Sequence, residues 1–250
     1  MATKHLITLF DVRSALAAPA WSPNVWKIRF VLNYKNLPYR TEWVPYPDIT
    51  DVLSAAGVPP TRTVAPLYTV PAIVDKVEGA DPKAISDSPL IADYLESTYP
   101  ENPIYPDGSR ELQLQHIDAI MKHVRSNMAF MAMPHTPNIL EGRDKEYFVN
   151  SRKRILGVGV EEMFPPEKAD AMWANLYGGL DSLSEYIDGR PHGQEWMFGS
   201  TTPTYADFAL CSLLIWFIKS GPEKGWERIK ERNDGKWGHL YQSCQKYMQI

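Results

Sequence analysis

Four short stretches of the 250-residue chain hold residue types that could do chemistry. In WSPNVWKIRFVLNYK, Ser22 stands directly before Pro23 and an apolar helical pattern. Serine is a favoured N-cap and proline a favoured first helical residue, so a helix start explains the pair without any ligand. The same helix end also presents unpaired N–H groups and the positive end of the dipole. A thiol placed there would be favoured as thiolate, and the Ser22 hydroxyl could donate to its sulfur while accepting from the backbone. Asn24, in the first turn, adds an N–H and an amide. Both readings of Ser22 stand on these residues alone.

Val70-Pro71 is the second stretch. With a cis peptide, the Val70 N–H and C=O would turn outward and pair with an extended ligand as a strand does. A functionless edge-strand proline is the other reading. The third stretch, Ser86-Asp87-Ser88-Pro89, repeats the serine-proline helix start. Its N–H and hydroxyl donors suit a ligand carboxylate and Asp87 suits an ammonium, with capping as the alternative. In the fourth, Thr204 and Asp207 have capping-box spacing, with Asp in the place usually held by Glu or Gln; these two read as structural.

Other chemistry finds no support. The six histidines lack metal spacing: His116 and His123, seven apart, would lie about 10 Å from each other along a helix. There is no CxxC, no glycine-rich phosphate loop and no Ser/His/Asp arrangement. Met128, Met131 and Met133, with Phe130, could line an adaptable apolar pocket or pack as ordinary core.

The elements that must position these residues fall into two groups. HLITLFDV from His5 reads as a strand, VWKIRFVLNYK from Val25 as a helix and YRTEWVPY from Tyr39 as a strand. A long irregular segment follows. YTVPAIVD from Tyr68 then reads as a strand with a proline inside it, next a turn with a possible further strand, and PLIADYLESTY as a helix. YPENPIYPDGSR, with three prolines and a glycine, is the best domain boundary. Beyond it the pattern is helical. Ile117, Met121, Val124, Met128 and Met131 form one apolar stripe over about five turns. Tyr147–Leu156 and Glu167–Asp188 give two more helices, the buried helix from Tyr205 another and the polar tail one more. The expected architecture is an α/β domain over residues 1–104 and an all-helical domain over 105–250.

Composition narrows the function classes. The net charge of −4 offers no positive field for nucleic acid, and Arg152-Lys153-Arg154 reads as a solvated helix face. Two cysteines make no disulfide framework, which points to a reducing compartment. The N-terminus lacks the apolar stretch of a signal peptide. The most apolar run, Phe208–Ile218, is 11 residues, where a membrane span needs about 20. A cytoplasmic protein is expected.

The ambiguous stretches, in this order and before this boundary, resemble the glutathione transferase family. SPNVWKIRFVLNYKNLPY is similar to the corresponding stretch of bacterial glutathione-dependent β-etherases. It is more similar still to the fungal-specific class A (FuA) transferases, as is TEWVPYPDI from Thr41. Two residues depart from the pattern: Asn36 replaces the glycine after Lys35, which matters little, and Asp87-Ser88 replaces Glu-Ser, which shortens the acidic arm by one methylene.

The resemblance implies a thioredoxin-like N-terminal domain and a helical C-terminal one. It implies glutathione as co-substrate, held by Val70-Pro71 along its backbone and by Asp87-Ser88 at its γ-glutamyl end, with no metal. Ser22, helped by Asn24, would activate the thiol for attack on aromatic electrophiles. Glutathione-dependent ether cleavage or detoxification of wood-derived compounds would be the setting. Met128, Met131 and Ile218 are the expected lining of the electrophile pocket. The family also implies a homodimer. A non-catalytic carrier of glutathione or hydrophobic ligands on the same fold is the alternative.

Overall fold

A computed structural model describes residues 5–190, 193, 195–199 and 201–250. The first four residues lie outside the described ones, and with them part of the stretch on which the expected lack of a leader rests. The chain forms two compact units. One extends to Pro103 and takes back Tyr247–Ile250; the other is Ile104–Lys246.

The first unit runs β1 (His5–Asp11), α1 (Pro23–Tyr34), β2 (Tyr39–Trp43), α2 (Ile49–Ala55), β3 (Ala72–Val77), β4 (Lys83–Ser86) and α3 (Ser88–Thr98). The strands form one sheet in the order β2-β1-β3-β4. β1 and β2 are parallel, and the other two pairs are antiparallel. Ile7 and Leu9 of β1 are buried, as are Val25, Ile28, Phe30, Val31 and Leu32 of α1, which gives this unit its core. The α1 helix ends on Asn36, whose φ of 53° is left-handed. Asparagine tolerates that conformation, so it serves where glycine is usual.

Two expectations for this unit are corrected. The segment before β3 is not all irregular, because it holds α2. That helix has seven residues and buries only Ile49 and Leu53, too few for a readable period. Pro71 is not inside β3; the strand begins after it, at Ala72. A residue without an N–H cannot donate to the ladder.

Polar groups tie the helices to the sheet. Asp75 on β3 accepts from the hydroxyls of Tyr94 at 2.9 Å and Tyr99 at 2.5 Å. Burial, with help from Asp75, pushes the Tyr94 hydroxyl up to about 12. Lys35, after α1, donates to the carbonyls of Tyr99 and Glu101 and pairs with Glu96 at 2.7 Å.

The second unit is helical: α4 (Arg110–Ile120), α5 (Ser126–Ala132), α6 (Gly142–Leu156), α7 (Ala169–Asp188), α8 (Tyr205–Ser220), α9 (Gly225–Ile229) and α10 (Arg232–Cys244). The tail thus carries two helices rather than one, and the start of the second is kinked by positive φ at Asn233, Asp234 and Gly235. A π-helical turn, Met121–Arg125, joins α4 to α5. This turn corrects the expected stripe. Its wider winding shifts the inward face, so Met121 is 43% exposed. The residues that point inward are Gln113, His116, Ile120, Val124, Met128 and Met131.

Against the π turn, α7 comes unusually close. A Cβ built on Gly179 would stand 2.0 Å from the His123 carbonyl oxygen. Asn127 donates to that oxygen at 3.4 Å and to the Asn175 carbonyl at 3.3 Å, bridging the two segments. In α8, every residue from Tyr205 to Phe217 is buried. Among the described residues, no helix is long and apolar enough to cross a membrane.

Candidate functional site

Sheet register brings the three N-terminal stretches to one end of the first unit. Phe10 pairs with Ala72, and Ala72 with Ser86. One residue beyond these partners lie Pro71 on one side and Asp87 on the other. At the same end, β1 runs out through Asp11 into the loop that leads to Ser22.

That loop is closed on itself. Arg13 bridges to Ala20, and the N–H and hydroxyl of Ser14 both donate to the Pro19 carbonyl, at 2.9 and 3.0 Å. The Trp26 indole N–H donates back to the Ala20 carbonyl at 3.2 Å. Ser22 is therefore delivered to the head of α1 by a braced segment. Its carbonyl accepts from the Trp26 backbone N–H at 2.9 Å. Its hydroxyl accepts no capping hydrogen bond, although Ser22 occupies the N-cap position and is only 8% exposed. Asn24 is exposed in the first turn.

The Val70-Pro71 peptide is cis, as is Ala65-Pro66. Val70 precedes the β3 ladder, and neither its N–H nor its carbonyl is hydrogen-bonded among the described residues. Asp87 is the N-cap of α3 and likewise makes no side-chain cap bond. Its φ of 76° is left-handed, a conformation that costs a non-glycine residue on the order of 1 kcal/mol or more. Ser88, the first residue of α3, is buried. Ser86 is committed elsewhere, donating to the Pro59 carbonyl at 2.9 Å. That bond fixes the start of a loop whose Thr61 and Arg62 N–H groups both donate to the Leu67 carbonyl.

The second unit contrasts sharply at α8. Here Thr204 Oγ1 accepts from the Asp207 N–H, and Asp207 Oδ2 accepts from the Thr204 N–H at 2.9 Å. Asp207 also accepts from the Thr204 hydroxyl and from the Met197 and Phe198 N–H groups. All of its capacity serves the fold. Full burial still raises its carboxyl to about 6, against the pull of those donors. The serine-proline starts of α1 and α3 lack such caps, which leaves their hydroxyl and N–H groups available.

The expected electrophile pocket fares differently. Met128 and Met131 have no exposed surface, because both lie on the inward stripe. A pocket lining needs surface, so in this structure they are core. Ile218, near the end of α8, keeps some exposure. Among the described residues, no group of three or more His, Cys, Asp or Glu side chains could hold a metal ion.

Sequence reasoning missed one feature of the site end. Arg29, wholly buried in α1, pairs with Asp11 at 2.8 Å. It also donates to the Thr41 and Tyr39 hydroxyls at 3.0 and 3.2 Å. The signal was present: an arginine inside the apolar face of α1 and an aspartate closing an apolar strand.

Two family models match the chain. "Glutathione S-transferase, N-terminal domain" matches residues 21–98, and "Glutathione S-transferase, C-terminal domain" matches 112–247, more than half of the chain. The glutathione S-transferase-like protein ustS of Aspergillus flavus is 32% identical, over 96% of this chain and 90% of that protein. A glutathione S-transferase of Ceriporiopsis subvermispora, crystallised in complex with glutathione, superposes with a TM-score of 0.88 at 32% identity, covering 98% of each chain. Glutathione transferase GSTFuA3 from Phanerochaete chrysosporium gives 0.86 at 33% identity, again over 98% of each.

Proposed function

The chain belongs to the glutathione S-transferase family, and on that premise we propose that its N-terminal unit binds glutathione at the sheet end, where Ser22 holds the thiol as thiolate for attack on hydrophobic aromatic electrophiles. The observation that carries this reading is the uncommitted Ser22 hydroxyl at the N-terminus of α1. A cap would have used it. The glutathione-bound Ceriporiopsis relative supports the choice of thiol.

Each part of the tripeptide has a chemical counterpart. The free N–H and C=O of Val70 match an extended peptide backbone. Asp87 matches the γ-glutamyl ammonium. Ser88 and the uncapped α3 N-terminus match its carboxylate. The sulfur is left for Ser22, with the amide of Asn24 close by in sequence.

The energetics are adequate. A free thiol has a pKa near 8.5, so only a few per cent is thiolate at neutral pH. Lowering that value by about two units needs roughly 2.7 kcal/mol of preferential thiolate stabilisation. A hydrogen bond to a charged acceptor supplies about 1.5–3 kcal/mol. The α1 dipole adds some tenths to about 1 kcal/mol. Serine donates and does not itself attack, so no histidine base is required. In cleavage of an α-keto aryl ether, the thiolate would form a C–S bond to the carbon that bears the aryloxy group, as the bond from that carbon to the ether oxygen breaks and the phenolate departs. Aromatic, wood-derived electrophiles and a homodimer complete the reading.

A co-crystal with glutathione tests it. The sulfur is expected within about 3.6 Å of Ser22 Oγ. A sulfur beyond that reach, with no turnover of aromatic electrophiles, identifies a carrier of glutathione or hydrophobic ligands instead.

A further inference from the structure

The buried ion pair at the site end does no work that the proposed chemistry names. Arg29 and Asp11 are 0% and 1% exposed, and the guanidinium also lies 5.7–5.8 Å from the ring centres of Trp26, Tyr39 and Trp43. A pair so enclosed is expensive to bury and seldom justified by stability alone. Its surroundings are assembled from the whole unit. Asp11 closes β1 and accepts from the Val12 N–H at 2.7 Å, where the loop to Ser22 begins. Tyr39, which accepts from Arg29, donates to the Gln249 carbonyl at 3.3 Å. Asn33 of α1 holds the same returning tail through the carbonyls of Tyr247 and Gln249.

The pair lies beside the place where the thiolate would form. Asp11 is two residues from Arg13, Arg13 bridges to Ala20, and Ala20 is two residues from Ser22. Those steps put Asp11 on the order of 10 Å from the Ser22 hydroxyl. The other charged groups at this end, Arg13, Lys27, Glu42, Asp48 and Asp87, are exposed or half-exposed, so water screens them. The buried pair is not screened in that way.

We propose that Asp11 and Arg29 form a positioning pair that balances charge behind Ser22 and so sets the acidity of the thiol bound there. The inference rests on the glutathione reading above. Losing Arg29 leaves a buried negative charge that opposes thiolate formation. Losing Asp11 leaves a buried positive charge that favours it. A merely structural pair would not give effects of opposite sign.

The test is the apparent thiol pKa, from the pH dependence of kcat/KM with glutathione and 1-chloro-2,4-dinitrobenzene. Arg29→Met is expected to raise it by about one pH unit and Asp11→Asn to lower it by a similar amount. The double variant should return it close to the wild-type value. Shifts in the same direction, or none, overturn the proposal. If Arg29→Met fails to fold, Asp11→Asn and the double variant decide the matter: no lowering in the first overturns it. Wild-type protein that neither binds nor turns over glutathione would instead overturn the glutathione reading itself.

Discussion

Ser22 reaches Trp26 through its backbone carbonyl, at 2.9 Å, while its hydroxyl takes no part in starting the helix. This separates two roles that the sequence leaves joined. Removing a capping hydroxyl normally costs about 1 kcal/mol. Here Ser22→Ala should cost no more than about 0.5 kcal/mol, as for a substitution away from special features. Its effect should fall on turnover. Urea unfolding of both proteins, beside their specific activity, checks the division.

Gly179 gives a sharp stability test. Gly→Ala in a helix usually gains up to about 1 kcal/mol. A Cβ at 179 meets the His123 carbonyl at 2.0 Å, and that oxygen belongs to backbone held by two helical segments. Gly179→Ala should destabilise by about 3 kcal/mol or more. Gly178→Ala, with nothing within 4 Å of the new carbon, should be neutral or mildly stabilising. Equal behaviour of the two variants in thermal melts would contradict the close approach.

Asp207 should be the most sensitive polar position in the second unit. It accepts from three backbone N–H groups and the Thr204 hydroxyl. In Asp207→Asn an amide NH2 would face those donors, at an expected cost of about 3 kcal/mol or more. Chemical denaturation measures it.

Two buried groups give stability a pH dependence of opposite sign. His116 contacts the Tyr186 hydroxyl at 3.0 Å and lies against the Phe198 ring. Burial first, then the Arg190 charge, lowers its pKa from 6.5 to about 4. As pH falls from 6.5 to 4, the unfolded chain takes up a proton that the fold refuses. Stability falls by about 3 kcal/mol over that window. Asp207 is raised from 3.8 to about 6, so between those values the fold keeps a proton that the unfolded chain has released. Its contribution therefore falls as pH rises. The two slopes offset one another from about pH 4 to 6. His116→Gln should expose a stability that declines with rising pH there, and Asp207→Asn one that climbs. Unfolding free energies across that range show whether each slope belongs to its residue.

Fold and site were legible to different degrees, for physical reasons. In the first unit β1, α1, β2 and α3 announce themselves by their apolar pattern, and β1 and α1 stand where their apolar residues put them. Thr204 and Asp207 could be paired from spacing alone, since a capping box is a local device. The α2 helix was hidden by its seven residues, and the inward face of α4 and α5 by a π turn that no hydrophobic pattern marks. Local sequence also could not show what the Ser22 hydroxyl leaves undone. A serine before proline looks the same whether or not its side chain caps. The Asp11–Arg29 pair spans 18 residues and two elements, so only the folded unit brings it together.

The central claim is that the Ser22 hydroxyl stabilises a thiolate. Ultraviolet titration of glutathione bound to the protein measures this directly, in wild type and in Ser22→Ala. The bound thiol should titrate about two pH units below the free one in wild type, and the variant should lose one unit or more of that lowering. Bound glutathione with the same thiol pKa in both proteins would contradict the account.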